Sequence, residues 1–182
     1  MNKALENLEP AGVWRFFNDI LQIPRPSKHE EKITRYLVDY GNSKGLETLC
    51  DEVGNVLIRK PATKGFENKP WVCLQSHIDM VCEKNSDKVF DFQKDAIQPI
   101  LDGEWLTADG TTLGADDGIG IAACLAILES DLPTGRVECL FTISEETGMD
   151  GAEALQEGFF TGKTLINLDS EAEGELYVGC AG

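Results

Sequence analysis

Four short polar clusters in this chain combine residue types that can hold a cation and move a proton. Gln75-Ser76-His77-Ile78-Asp79 follows an apolar run, and period-two alternation puts His77 and Asp79 on one side of the chain. The carboxylate can then orient the imidazole while the ring binds a metal. Thr111 to Gly120 is a glycine-rich turn, Gly114-Ala115-Asp116-Asp117-Gly118, that opens an apolar helix. Its glycine spacing is wrong for a dinucleotide, and its acids would repel a pyrophosphate. A carboxylate on such a turn suits a metal ligand, while plain capping of the helix by Asp116 or Asp117 is an equal reading. Ser144-Glu145-Glu146-Thr147-Gly148 closes another apolar run, and adjacent carboxylates at a strand end repel each other unless a cation is near. Glu30-Glu31, in an expected first helical turn, shows that a pair of glutamates alone says nothing. Asn167-Leu168-Asp169-Ser170-Glu171 ends a fourth run.

The stretch 145–175 holds nine acidic residues and one basic residue, Lys163, and a solvated acidic face accounts for part of that. It does not explain why His77, Asp116, Glu145 or Glu146, and Asp169 each follow a separate strand or open a buried helix. One imidazole with several carboxylates is the ligand set of a hydrolytic two-metal site. There, one carboxylate bridges two ions and another takes a proton from water.

The elements that would position these groups are legible from periodicity. Val13, Phe16, Phe17, Ile20 and Leu21 give a helix over 11–21, stopped by Pro24 and Pro26. Ser27-Lys28-His29-Glu30 has the form of a capping box before a second helix through Ile33, Leu37 and Tyr40. Residues 46–50 and 56–59 read as a hairpin around Gly54-Asn55, and 71–76 as a strand buried on both faces. Residues 83–104 read as a long cleft-shaping loop and 118–129 as a deeply packed helix. Further strands are expected over 136–143, 164–168 and 175–178. The expected class is α/β, with a mostly parallel or mixed central sheet flanked by helices. In such sheets function gathers beyond the carboxyl ends of strands.

Composition narrows the partners. The 182 residues include 32 acidic and 16 basic ones, a net charge of −16, which disfavours nucleic acid and anionic membrane surfaces and favours cations. The longest apolar run, 119–128, is too short to span a bilayer. No secretory signal is evident at the N-terminus, and the six cysteines lack C-x-x-C spacing, so a reduced, cytoplasmic protein is expected.

The order H-x-D, G-A-D-D-G, E-E, L-D-S resembles the co-catalytic zinc metallopeptidases. Val53-Gly54-Asn55, Ile58 to Thr63, Leu74 to Val81, Gly110 to Asp116 and Glu145 to Gly151 are most similar to the aminoacyl-histidine (Xaa-His, carnosinase-type) dipeptidases. The resemblance implies that His77 and Asp169 bind one zinc ion, Asp116 bridges two, and Glu146 binds the second. It also implies that Glu145 is the general base and Asp79 the partner of His77. Asp117 departs from the asparagine frequent in that branch. Zinc is the implied metal, with cobalt and manganese suited to the same ligands, and a small peptide is the implied substrate. An N-acyl amino-acid deacylase or tripeptidase of the same superfamily, or a non-catalytic metal-binding module, would carry the same ligands. The resemblance further implies that residues 1–182 are the N-terminal portion of a catalytic domain whose lid or dimerisation domain and returning segment are absent. The returning segment supplies a second-ion histidine that His29 does not match. Such a portion is expected to be poorly active alone, and its open strand edges could make it self-associate, as a homodimer for instance.

Overall fold

The computed structural model describes residues 2–170, 172 and 174–179; Glu171 of the fourth cluster and Cys180 lie outside them. Helix α1 (Ala11–Leu21) buries Phe16, Phe17, Ile20 and Leu21, the stripe its spacing predicts. Helix α2 (Glu31–Ser43) buries Ile33, Leu37 and Gly41. Strands β1 (Glu47–Cys50) and β2 (Val56–Lys60) form the expected antiparallel hairpin. Strand β3 (Val72–His77) follows, and then β4 (Pro99–Asp102) pairs with β5 (Trp105–Ala108). Helix α3 (Ala115–Glu129), strand β6 (Val137–Thr142), the short helix α4 (Asp150–Ala154) and strand β7 (Thr164–Asn167) complete the order.

Five strands make one mixed sheet in the order β1-β2-β6-β3-β7, antiparallel from β1 to β6 and parallel from β6 through β3 to β7. Apolar residues divide by strand alternation between its two faces. Val56, Ile58, Leu74, Cys139 and Phe141 join the main core with α1, α2 and α3, while Leu57, Cys73 and Leu140 pack against Leu155, Phe159 and Phe160. All six residues of β6 are buried, as befits its central place.

The parallel register creates the site. His77 pairs with Thr142 and Gln75 with Asn167, so β3 and β6 end at one level, β7 ends two residues short of it, and the residues after them emerge side by side. The chain thus delivers 78–79, 143–146 and 168–169 to one edge of the sheet, the place where open α/β sheets bind ligands.

Three local expectations fail. Residues 83–104 are not all loop, because 99–102 form half of the β4–β5 hairpin. Residues 175–178 form no strand; Leu176 and Val178 stand fully in solvent, and among the described residues no strand lies beside them to pair with. The capping box does not form either. The α2 N-cap is Glu30, with no side-chain cap bond; Ser27 donates its hydroxyl to Asp79, and Glu30 turns its carboxylate to Ser144. Among the described residues Cys50, Cys73, Cys82, Cys124 and Cys139 are free thiols.

Candidate metal centre

His77 is the last residue of β3, its ring almost wholly buried at the strand end. Its Nδ1 lies 3.2 Å from Asp79 Oδ1 and its Nε2 2.9 Å from Asp116 Oδ1 and 3.9 Å from Asp169 Oδ2. One ring nitrogen is therefore taken up by a buried carboxylate while the other faces two carboxylates from different elements. Burial alone would lower the imidazole pKa, but the bonds to Asp79 and Asp116 outweigh it and lift the value to about 9. An ion bound to Nε2 must displace that proton.

Asp79 does more than steer the ring. Its Oδ1 accepts the Glu145 N–H at 3.0 Å, and its Oδ2 accepts the Glu146 N–H at 3.2 Å and the Ser27 hydroxyl at 2.6 Å. Burial would raise its pKa, yet these donors and His77 hold it down at about 2. One buried carboxylate thereby fixes the imidazole and the backbone of both glutamates. The turn that carries them starts at Ser144, a left-handed residue at φ 53°. It is anchored by Glu30, whose Oε1 accepts the Ser144 N–H at 3.0 Å and its hydroxyl at 2.8 Å.

The two aspartates of the glycine-rich turn have separate jobs. Asp117 is buried, and its Oδ1 accepts the Gly120 N–H at 3.1 Å, so the capping role belongs to this residue. Its other oxygen has no hydrogen-bond partner, and burial pushes its pKa up to about 7. Asp116 instead points its largely exposed carboxylate toward His77. Asp169, just beyond β7, reaches the same spot, and its backbone N–H is held by Asn167 Oδ1 at 2.8 Å.

Two donor sets result, each with its nitrogen and oxygen atoms within 4.8 Å of one another: His77 with Asp116 and Asp169, and His77 with Glu145 and Glu146. Burial raises the pKa of Glu145 and of Glu146, as does the negative charge of Asp116 beside them. Imidazole and carboxylate donors at this spacing fit a divalent ion of the zinc type, whose charge would relieve that crowding. All six residues singled out in the sequence meet at this one edge. A hollow of about 450 Å3 opens beside Asp116 and Asp169, and another of about 230 Å3 runs from Glu145 and Asp169 toward Phe160. A larger one, about 610 Å3, lies on the α2 side of the 143–150 turn and contains none of the six.

The model of peptidase family M20/M25/M40 matches residues 73–178, which include every one of these groups. The chain belongs to this family. It is 53% identical over 179 residues to the cytosol non-specific dipeptidase of Escherichia coli, covering 98% of this chain and 37% of that protein. The aminoacylhistidine dipeptidase structure from Vibrio alginolyticus superposes with a TM-score of 0.95 at 54% identity, over 97% of this chain and 36% of that one. A tripeptidase structure from Staphylococcus aureus gives 0.74 at 25% identity, over 88% of this chain and 43% of that one. This family member therefore spans little more than a third of the dipeptidases it matches.

Three supporting residues went unnoticed in the sequence: Arg25, Ser27 and Glu30. The spacing of Ser27 and Glu30 points to a helix cap, and Arg25 carries no signal of its own between Pro24 and Pro26. Nothing local marks them, because their partners lie more than 50 residues away along the chain.

Proposed function

We propose that this chain supplies the metal-binding and proton-transfer groups of a cytosolic dipeptidase, with Xaa-His dipeptides among its substrates. The observation that carries the reading is the meeting of His77, Asp116 and Asp169 at one strand edge, with Asp79 tying the same imidazole to the Glu145–Glu146 turn. Greater similarity to dipeptidases than to the tripeptidase favours dipeptide over tripeptide or acyl substrates. No described helix is long and apolar enough to cross a membrane.

In this reading His77, Asp116 and Asp169 would hold one ion, and Asp116 and Glu146 would contribute to a second. Zinc held there would supply polarisation of the peptide carbonyl and acidification of water. Glu145 takes the proton of the attacking water and delivers it to the leaving amine. Asp79 keeps the His77 ring aimed with Nε2 outward. Residues 1–182 then form the N-terminal portion of a catalytic domain, and the chain by itself hydrolyses poorly.

Calorimetric zinc titration of the metal-stripped chain tests this beside Asp116→Ala and Glu145→Gln. Tight, specific binding lost in Asp116→Ala and kept in Glu145→Gln is expected. Absence of specific binding would refute the metal centre in this chain, and robust cleavage of a histidine-containing dipeptide by the 182 residues would refute the partial-domain reading.

A further inference from the structure

Arg25 is 2% exposed, and its hydrogen bonds go to main-chain carbonyls rather than to a carboxylate. Nη1 donates to Ile78 O at 3.1 Å and to Asp79 O at 2.5 Å, and Nη2 donates to Gly114 O. The first two carbonyls follow His77 directly; the third lies two residues before Asp116. Pro24 and Pro26 flank Arg25 and restrict the backbone on both sides, and Pro26 forms a parallel bridge with Met80. The pocket around the guanidinium is closely fitted. A Cβ on Gly114 would stand 2.7 Å from Nη2 and 2.8 Å from Met80 Sδ, and one on Gly118 would stand 2.8 Å from Nη2. Burial draws the guanidinium pKa down to about 10, with Asp79 and Asp117 opposing, so it remains charged at neutral pH.

Building on the metal-centre reading above, we infer that Arg25 is a positioning residue. Its planar fork ties the loop bearing His77 to the turn bearing Asp116 and so sets the separation of these two ligands. A rigid guanidinium can bridge two segments in this way, whereas a lysine ammonium is a single point on a flexible stem. Two other roles make different predictions. If Arg25 acts only through charge, it repels a divalent ion, and its removal tightens metal binding. If it only stabilises the fold, its removal lowers the melting temperature and leaves the ligand geometry alone.

The test is cobalt(II) titration of the 182-residue chain, wild type and Arg25→Lys, Arg25→Met and Gly114→Ala, following affinity by calorimetry and the cobalt d–d absorption. Arg25→Lys keeps a buried cation and so guards against simple unfolding, and Gly114→Ala disturbs the same contact from its other end. Expected are a Kd at least tenfold weaker and a displaced d–d band in Arg25→Lys and in Gly114→Ala. Wild-type affinity and spectrum in Arg25→Lys, even with a lower melting temperature, would overturn the inference, as would tighter binding in Arg25→Met. Failure of the wild type to bind cobalt in an Asp116-dependent way would instead sink the metal-centre reading beneath it.

Discussion

Replacing Glu138 by alanine removes a wholly buried carboxylate from β6 that several groups share. Arg59 Nε approaches it at 2.8 Å, the Thr161 N–H and hydroxyl each at 2.7 Å, and the Gly162 N–H at 2.6 Å. Removing one member of a buried pair costs about 3–5 kcal/mol, because its partner stays desolvated. Arg59 retains Glu47 at 2.6 Å and Thr161 is exposed, so water and a second acid recover part of the loss. The lower end, about 3 kcal/mol, is therefore expected, a fall in Tm of about 6–12 °C for a chain of this size. Urea denaturation at pH 7 measures it directly. The acid dependence provides a second check. Burial would raise the Glu138 pKa, but bonds from Thr161, Gly162 and Arg59 more than offset this and hold it below the ordinary value. A carboxyl with a depressed native pKa contributes stability that is complete above its unfolded pKa, about 4.3, and is lost as pH falls through the native value. The stability gap between wild type and Glu138→Gln should thus be widest at neutral pH and narrow below about pH 4. A destabilisation under about 1 kcal/mol in Glu138→Ala, or a gap to Glu138→Gln that does not narrow in acid, would refute this account.

Other expectations follow from the same geometry. Asp79→Asn should weaken zinc affinity by about 10–100-fold, because it takes away the charge that holds His77 and loosens the turn at Glu145 and Glu146; calorimetry measures it. In Glu145→Gln, whatever dipeptide hydrolysis the chain supports should fall by about 10²–10⁴-fold in a peptide-release assay while the ion is retained. Gly151→Ala should cost about 1–3 kcal/mol in thermal denaturation, since a Cβ there would stand 2.6 Å from Ile143 N and 2.7 Å from Ile143 O, backbone atoms that cannot step aside. β7 ends the described sheet, with Leu165 and Ile166 each more than two-fifths exposed, so sedimentation should show association that grows with concentration. A concentration-independent monomer would contradict that.

The parts of the fold that could be read from the sequence are those with strong, long periodicity. Helix α1, the body of α2, α3 and strands β2, β3 and β6 bury the residues their spacing points to, while β1 and β7 form where expected but stay largely exposed. Polar clusters at three of these ends, and one at the start of a helix, bring forward His77, Asp79, Glu145, Glu146, Asp169 and the Asp116–Asp117 pair, of which the family resemblance chooses Asp116. Short elements were harder to see. β4 and β5 have four residues each and expose Ile100, Leu101 and Trp105, leaving no alternation of buried and polar positions. α4, with five residues, is too short for a helical period. The segment at 175–178 shows the opposite error, for apolar alternation without a neighbouring strand does not make a sheet. Asp116 and Asp117 could not be told apart by type, and the choice depends on which carboxylate the Gly120 N–H reaches.

The family match starts at residue 73, yet Arg25, Ser27 and Glu30 all lie before it. A protein trimmed to the matched residues would keep all six polar groups in their order. It would lose the guanidinium bridging the carbonyls of Ile78, Asp79 and Gly114, the hydroxyl on Asp79, and the carboxylate that holds the left-handed turn at Ser144. Grafting the six groups into another scaffold would fail for the same reason. The contacts that set these groups come in part from the thirty residues at the front of the chain, so those residues belong to the candidate site as much as the strand ends and the helix turn that carry its polar groups.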